Sequence, residues 1–264
     1  MIRHATGTHR RAFTLTELFT VLGLISLLVS LLMPALTKVR AAADAAACLS
    51  NLRQMGNAWA MYVAEHHGRL PEYVWYTPTL TPETAWEGYW PGLLSSRDVG
   101  PQTMLCPAAR QPVDFDASWG FGNVTHAWSG RYVANSAVRL SNTIYRESSY
   151  GSNGYLTAGG GFGKDGRARC LTAVKHTPNV PLFLDCAFPD VLPAMDEVPK
   201  PPPNLRGDNL IDKPQHWRFL LGRHGRGVNV SLADGSARWV RLDDMYTLTW
   251  KAEWIPRPLQ LPSN

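Results

Sequence analysis

No two of the four cysteines, Cys48, Cys106, Cys170 and Cys186, stand at Cys-x-x-Cys spacing. That absence argues against a zinc ribbon and a thioredoxin-like redox pair. EF-hand spacing of acidic residues is missing as well. The glycine-rich run 159–163 ends in Lys164, but Asp165 follows where a phosphate loop needs Ser or Thr. Ser152 lies two residues before Gly154, yet Tyr150 occupies the position where a nucleophile elbow needs its first glycine. His66 and His67 are adjacent and so cannot share one helix face as ligands. With no convincing nucleophile, acid pair or metal triad, the expectation is a protein that is not an enzyme, with no catalytic residue and no bound metal. Internal repeats are absent too.

Charge is sparse, at 18% of residues, and it is unevenly placed. Residues 1–12 hold Arg3, Arg10 and Arg11 and no acid. Without those three, the 26 basic and 21 acidic side chains nearly balance, so the net charge of +5 is largely an N-terminal matter. A chain-wide phosphate-binding field is excluded, and no nucleic-acid partner is expected. Basic residues flanking an apolar run act instead as a topological signal that stays in the cytoplasm.

The stretch after this basic leader is the most informative in the chain. Ala12-Phe13-Thr14-Leu15-Thr16-Glu17 opens an apolar run that continues to Leu36 and carries no further charge before Lys38. The run from Leu18 to Leu36 approaches the roughly 20 residues that span a bilayer, and it exceeds the ~7–15 of a signal-peptide core. Small residues at 41–43 and 45–47 keep ordinary signal-peptidase cleavage open as an alternative. A carboxylate at the mouth of such a span needs a reason, since an acid costs roughly 2.5–3.5 kcal/mol at a bilayer centre. Cleavage before Phe13 would supply one, by giving Glu17 a new α-amino group to pair with. The simpler alternative is that Glu17 caps a helix start.

Beyond Pro34 the helical signal persists. Ala45, Leu49, Leu52, Met55 (or Gly56), Trp59 and Tyr62-Val63 recur at three- and four-residue steps. Gly68 and Pro71 mark a stop. One helix is therefore expected from about Thr14 to about His67, on the order of 80 Å long, with a kink allowed at Pro34. Thereafter glycine, proline and aromatics become frequent and apolar runs short. Strands are expected at 127–132, 169–174, 181–184, 227–232 and 236–241, with loops at 159–163 and 199–204. Asp234-Gly235 reads as a two-residue hairpin turn, which would set Val230 opposite Trp239 and Leu232 opposite Ala237. The fold class is α+β, a long N-terminal helix packed on a head with an antiparallel sheet.

These features resemble the prepilin cleavage and methylation signal shared by type IV pilins and type II secretion pseudopilins. Counting from Phe13, the acid Glu17 falls fifth and Pro34 twenty-second, both usual in that family; Ala12 stands where glycine is usual. Further segments look like those of large pseudopilin-like proteins of planctomycete and verrucomicrobial-type bacteria. They are the stretch from Cys48 to Gly56, Gly68 to Pro71, Cys106-Pro107, Ser149 to Asn153, Pro181 to Asp185, and His224 followed after nine residues by Asp234-Gly235.

The resemblance implies a leader at 1–12, a transmembrane part of the helix at 13–36, an amphipathic part at 37–67 and an extracytoplasmic head at 68–264. It also implies a prepilin peptidase that cuts between Ala12 and Phe13, and residence in the inner membrane as a single-pass protein. Assembly would follow with other pseudopilins on an inner-membrane platform, where Phe13, Glu17 and Pro34 contribute to packing. No cofactor is implied, although some pseudopilins bind calcium in the head, for which Asp185, Asp190, Asp208 or Asp234 offer oxygens.

The role of the signature His224, Asp234 and Gly235 stays open. Asp234-Gly235 is read as turn chemistry and His224 as hydrogen-bonded to a backbone carbonyl, with a catalytic or metal role as the alternative. An extracytoplasmic head permits disulfides. Four cysteines allow three pairings, and the expected ones are Cys48 with Cys106 and Cys170 with Cys186. Ten tryptophans, with Trp75, Trp86, Trp90, Trp119 and Trp128 among Tyr73, Tyr76 and Tyr89, either fill a loop-rich core or form an exposed binding face. Two functions are consistent with all this: a filament subunit, or an anchored binding protein for glycan or protein that never polymerises.

Overall fold

Apolar side chains at three- and four-residue spacing produce helix α1, Leu15–Glu65, which continues through Pro34. The structure, a computed structural model, describes residues 14–71, 89–112, 119–132, 144–158, 171, 174, 177–194, 199–207, 210 and 213–261. Ala12, Phe13, Cys170, Asp208, Trp75, Trp86, Tyr73, Tyr76, the run 159–163 and most of the expected strand 169–174 lie outside these. The chain divides into two units, Met1–Ala43 and Asp44–Asn264.

In the first unit, α1 is long and apolar enough to cross a membrane, and its leucines, Phe19 and Met33 are exposed. Three of its hydroxyls bond back to the helix backbone. Thr20, Ser30 and Thr37 donate to the carbonyls of Thr16, Leu27 and Met33 at 3.0, 2.7 and 3.0 Å, which suits a polar group surrounded by lipid. The helix opens with a reciprocal cap. The Thr14 N–H donates to Glu17 Oε2 at 2.9 Å, and the Glu17 N–H donates to Thr14 Oγ1 at 3.3 Å. Thr-x-x-Glu is the capping-box pattern.

In the second unit, Cys48, Leu52, Met55, Ala58, Trp59 and Val63 form the buried face of α1, each large apolar side chain worth roughly 1.5–3 kcal/mol when fully buried. Ala45, Leu49 and Tyr62 are half-buried at its margin. The helix ends where expected, with Gly68 at φ +83° donating to Val63 O at 2.7 Å. His67 takes the left-handed position just before it, at φ +54°.

A short helix, α2 (Trp90–Ser95), follows. Strand β3 (His126–Tyr132) pairs with β1 (Gln111–Pro112), β2 (Trp119–Gly120) and β4 (Ile144–Ser148). The larger sheet has the order β7-β5-β6-β8-β9, from β5 (Tyr150–Asn153), β6 (Pro181–Asp185), β7 (Asp190–Val191), β8 (Gly227–Leu232) and β9 (Ala237–Arg241). Its pairings are antiparallel except β5 with β7. The head is thus a mixed helix and sheet unit with mostly antiparallel strands.

Every residue of β8 is buried, because both faces of the sheet are covered. On one side the α1 residues pack with Tyr150 and Phe183. Asn229 Nδ2 donates to Ala45 O at 2.9 Å on that side. On the other, Val228, Val230 and Leu232 meet Met245, Tyr246, Trp250 and Trp254 from the C-terminal segment. The indoles of Trp90, Trp128, Trp250 and Trp254 each donate to a backbone carbonyl at 2.7–3.1 Å, so these rings are buried without an orphaned N–H.

The hairpin register differs from the two-residue turn expected. Asn229 pairs with Trp239, Val230 with Arg238 and Ser231 with Ala237. Three residues, Ala233, Asp234 and Gly235, form the loop. Asp234 Oδ1 accepts the Ser236 N–H at 3.0 Å and its hydroxyl at 2.7 Å, while Gly235 adopts φ +86°. These bonds draw Ser236 into the turn, giving the three-residue connection that ends in a left-handed glycine. A one-residue shift moves side chains to the other face. Trp239 therefore shares the Asn229 side and lies against Gly227, 46% exposed.

Candidate functional site

Four segments far apart in sequence meet at Asp185, the last residue of β6. Cys48 reaches it from α1, one turn before Leu52 on the buried face. Cys106 precedes the 3-10 turn Pro107–Ala109, its carbonyl accepting the Ala109 N–H at 2.9 Å. His224 comes from the turn before β8, where Gly225 at φ +72° lets the chain reverse. Both sulfurs, one carboxylate oxygen and one imidazole nitrogen lie within 4.8 Å of one another.

The individual distances are short. Cys48 Sγ is 3.6 Å from each Asp185 oxygen. Cys106 Sγ is 3.3 Å from His224 Nε2, which is 3.3 Å from Asp185 Oδ2. Asp185 is fully buried and held further by the Asn229 N–H at 2.9 Å and by Arg223 Nη1 at 3.2 Å. Arg223, itself buried, also donates to the carbonyls of Ser149 and Asn123. Tyr150 Oη accepts from Asn51 Nδ2 at 3.3 Å, with the same amide donating to Leu105 O at 3.1 Å.

These contacts govern protonation. Burial alone would raise Asp185, but the His224 hydrogen bond and the Arg223 guanidinium outweigh it and hold the carboxyl below its usual range. Burial pushes the Cys48 thiol well up, assisted by Cys106 and Asp185. The Cys48 hydrogen bond pulls Cys106 down to about 6 against burial. Burial would lower His224, but hydrogen bonds to Asp185 and Cys106 lift it to about 10.

Two expectations are corrected here. Cys48 and Cys106 are neighbours but free thiols, each sulfur engaged with Asp185 or His224 instead of with the other in a disulfide. Cys186 is also a free, fully buried thiol, raised to about 12 by burial, and its expected partner Cys170 lies outside the described residues. His224 is directed by its ring at Asp185 and Cys106, not at a backbone carbonyl. Asp234 and Gly235 serve the turn as expected and do not join His224.

Of the carboxylates considered for calcium, the three that are described have separate partners. Asp190 pairs with Arg218 at 3.5 Å, Asp234 caps its own turn, and Asp185 has sulfur and nitrogen neighbours where calcium takes oxygen. Spacing rules missed the four-residue cluster because each member is alone in its segment. The signal that could have found it is that the segments carrying Cys48, Cys106, Tyr150, Asp185 and His224 are those on which the family resemblance rests. Compared with protein-family models, curated proteins and solved structures, the chain finds no match.

Proposed function

We propose that the protein is a pilin-like filament subunit. It is cut before Phe13 by a prepilin peptidase, methylated there, and held in the inner membrane by the first half of α1 with its head outside the cytoplasm. An assembly platform then draws it into a type II secretion or type IV pilus-like filament with other pseudopilins. The observation that carries this reading is Glu17, a lone acid one turn into a helix whose apolar side chains are exposed throughout its first unit.

In the uncut chain that carboxylate is used by the Thr14 cap. Cleavage would bring a cation within reach, and a charge left buried and unpaired in a filament core could cost about 3–5 kcal/mol, enough to impose register. The rival reading, an aromatic face for glycan or protein, is less well supported, because Tyr89, Trp90 and Trp128 are buried in the core.

Mass spectrometry of the membrane-extracted protein tests the proposal: the mature N-terminus should be methylated Phe13. Retention of residues 1–12, or a cut after Ala43 or Ala47, would remove its basis. Glu17→Ala should block polymerisation while leaving membrane insertion intact, and filaments formed at the normal level by this variant would refute the pairing.

A further inference from the structure

We propose that Cys48, Cys106, Asp185 and His224 form a closed, structural site for a thiophilic divalent cation, with zinc the best fit. The donor set is two sulfurs, an imidazole nitrogen and a carboxylate oxygen, all of them zinc ligands. Ligand atoms held tetrahedrally ~2.0–2.3 Å from zinc lie about 3.3–3.8 Å from one another. The corresponding edges are 3.6 Å from Cys48 to Asp185, 3.3 Å from Cys106 to His224 and 3.3 Å from His224 to Asp185. Three of the six edges therefore match a tetrahedral site, and all four atoms lie within 4.8 Å of one another.

The charges also close. Two thiolates and one carboxylate oppose a dication and the Arg223 guanidinium, leaving a buried ensemble with no net charge. Arg223 and the Asn229 N–H hold the carboxylate from behind, as outer hydrogen bonds do at metal centres. A metal takes both sulfurs as thiolates and the imidazole through an unprotonated nitrogen, so binding releases their protons to solvent with no change of oxidation state. Four protein ligands leave no open position, so the ion acts as a structural tie and not as a catalyst. It joins α1, the 3-10 turn after Cys106, the end of β6 and the turn before β8. These are segments whose closure in the unfolded chain spans long loops, where a tie contributes most.

The test uses the full chain, purified in mild detergent without chelators. Elemental analysis should find about one zinc per chain, as a closed four-ligand site requires. After removal under reducing conditions, cobalt(II) should restore stoichiometric binding with the visible bands of a tetrahedral, sulfur-ligated ion. Cys48→Ser with Cys106→Ser should lose the metal and lower the melting temperature, and a strong chelator should lower that of the native chain alike. The cobalt titration of the native chain stands even where the variant fails to fold. Two results would overturn the proposal: a Cys48–Cys106 disulfide in the native protein, or reduced thiols that take up neither zinc nor cobalt at stoichiometry.

Discussion

Arg223 and Asp185 form an ion pair with no solvent exposure on either side chain, and that fixes what each can tolerate. Removing one partner of a buried pair strands the other charge. Arg223→Ala should therefore destabilise the head by about 3–5 kcal/mol. Urea unfolding of the detergent-solubilised chain, followed by tryptophan fluorescence, measures this. Arg223→Lys should recover little, because one ammonium cannot reach Asp185 and the carbonyls of Ser149 and Asn123 with the geometry of a guanidinium fork. Arg223 does not announce itself in the sequence, and Asp185 stands out there only as one of several carboxylates. Only the closure of β6 onto β8 shows that the Arg223 and Asp185 side chains both point inward.

At the scale of elements, the β8–β9 hairpin separates what local patterning fixes from what it leaves free. Alternating apolar residues around Asp-Gly locate both strands to within a residue, since such alternation is the signature of a half-buried strand. The register depends on one further choice, the bond from the Ser236 N–H to the Asp234 carboxylate, which periodicity does not contain. Gly235 at φ +86° has open space around a would-be Cβ, so substitution there meets only the backbone penalty. Gly235→Ala should cost about 1–2 kcal/mol, the usual cost of an L-residue in left-handed geometry. Asp234→Ala should destabilise by less while leaving the strands paired, as amide exchange of Val228 and Val240 would report. Helix α1 was more legible: its buried face, from Leu52 through Met55 to Val63, follows the three- and four-residue pattern directly.

For the whole molecule, the C-terminal segment is fastened through Asp243. Its carboxylate accepts from Arg226 at 3.0 Å and Arg241 at 3.3 Å, and its carbonyl accepts the Leu259 N–H at 2.8 Å. The Arg226 hydrogen bond, with help from that of Arg241, outweighs burial and depresses the Asp243 carboxyl below its usual range. A depressed acid stabilises fully above its unfolded pKa, near 3.9, and that contribution is lost as pH falls through the lower folded value. Melting temperature followed from pH 6 downwards should show this component, and Asp243→Asn should remove it. A variant whose acid-side profile matches that of the native chain would contradict the assignment.

By itself the sequence determined the membrane-length helix, its amphipathic continuation, its stop at Gly68 and most of the described long strands. Each rests on interactions between residues a few positions apart, which periodicity records. Tertiary structure alone decided the free state of Cys48, Cys106 and Cys186, the hairpin register and the meeting of two sulfurs, a carboxylate and an imidazole at the end of β6. Those outcomes depend on which distant segments pack together, and a side chain's partner across a folded core leaves no spacing in the chain to be read.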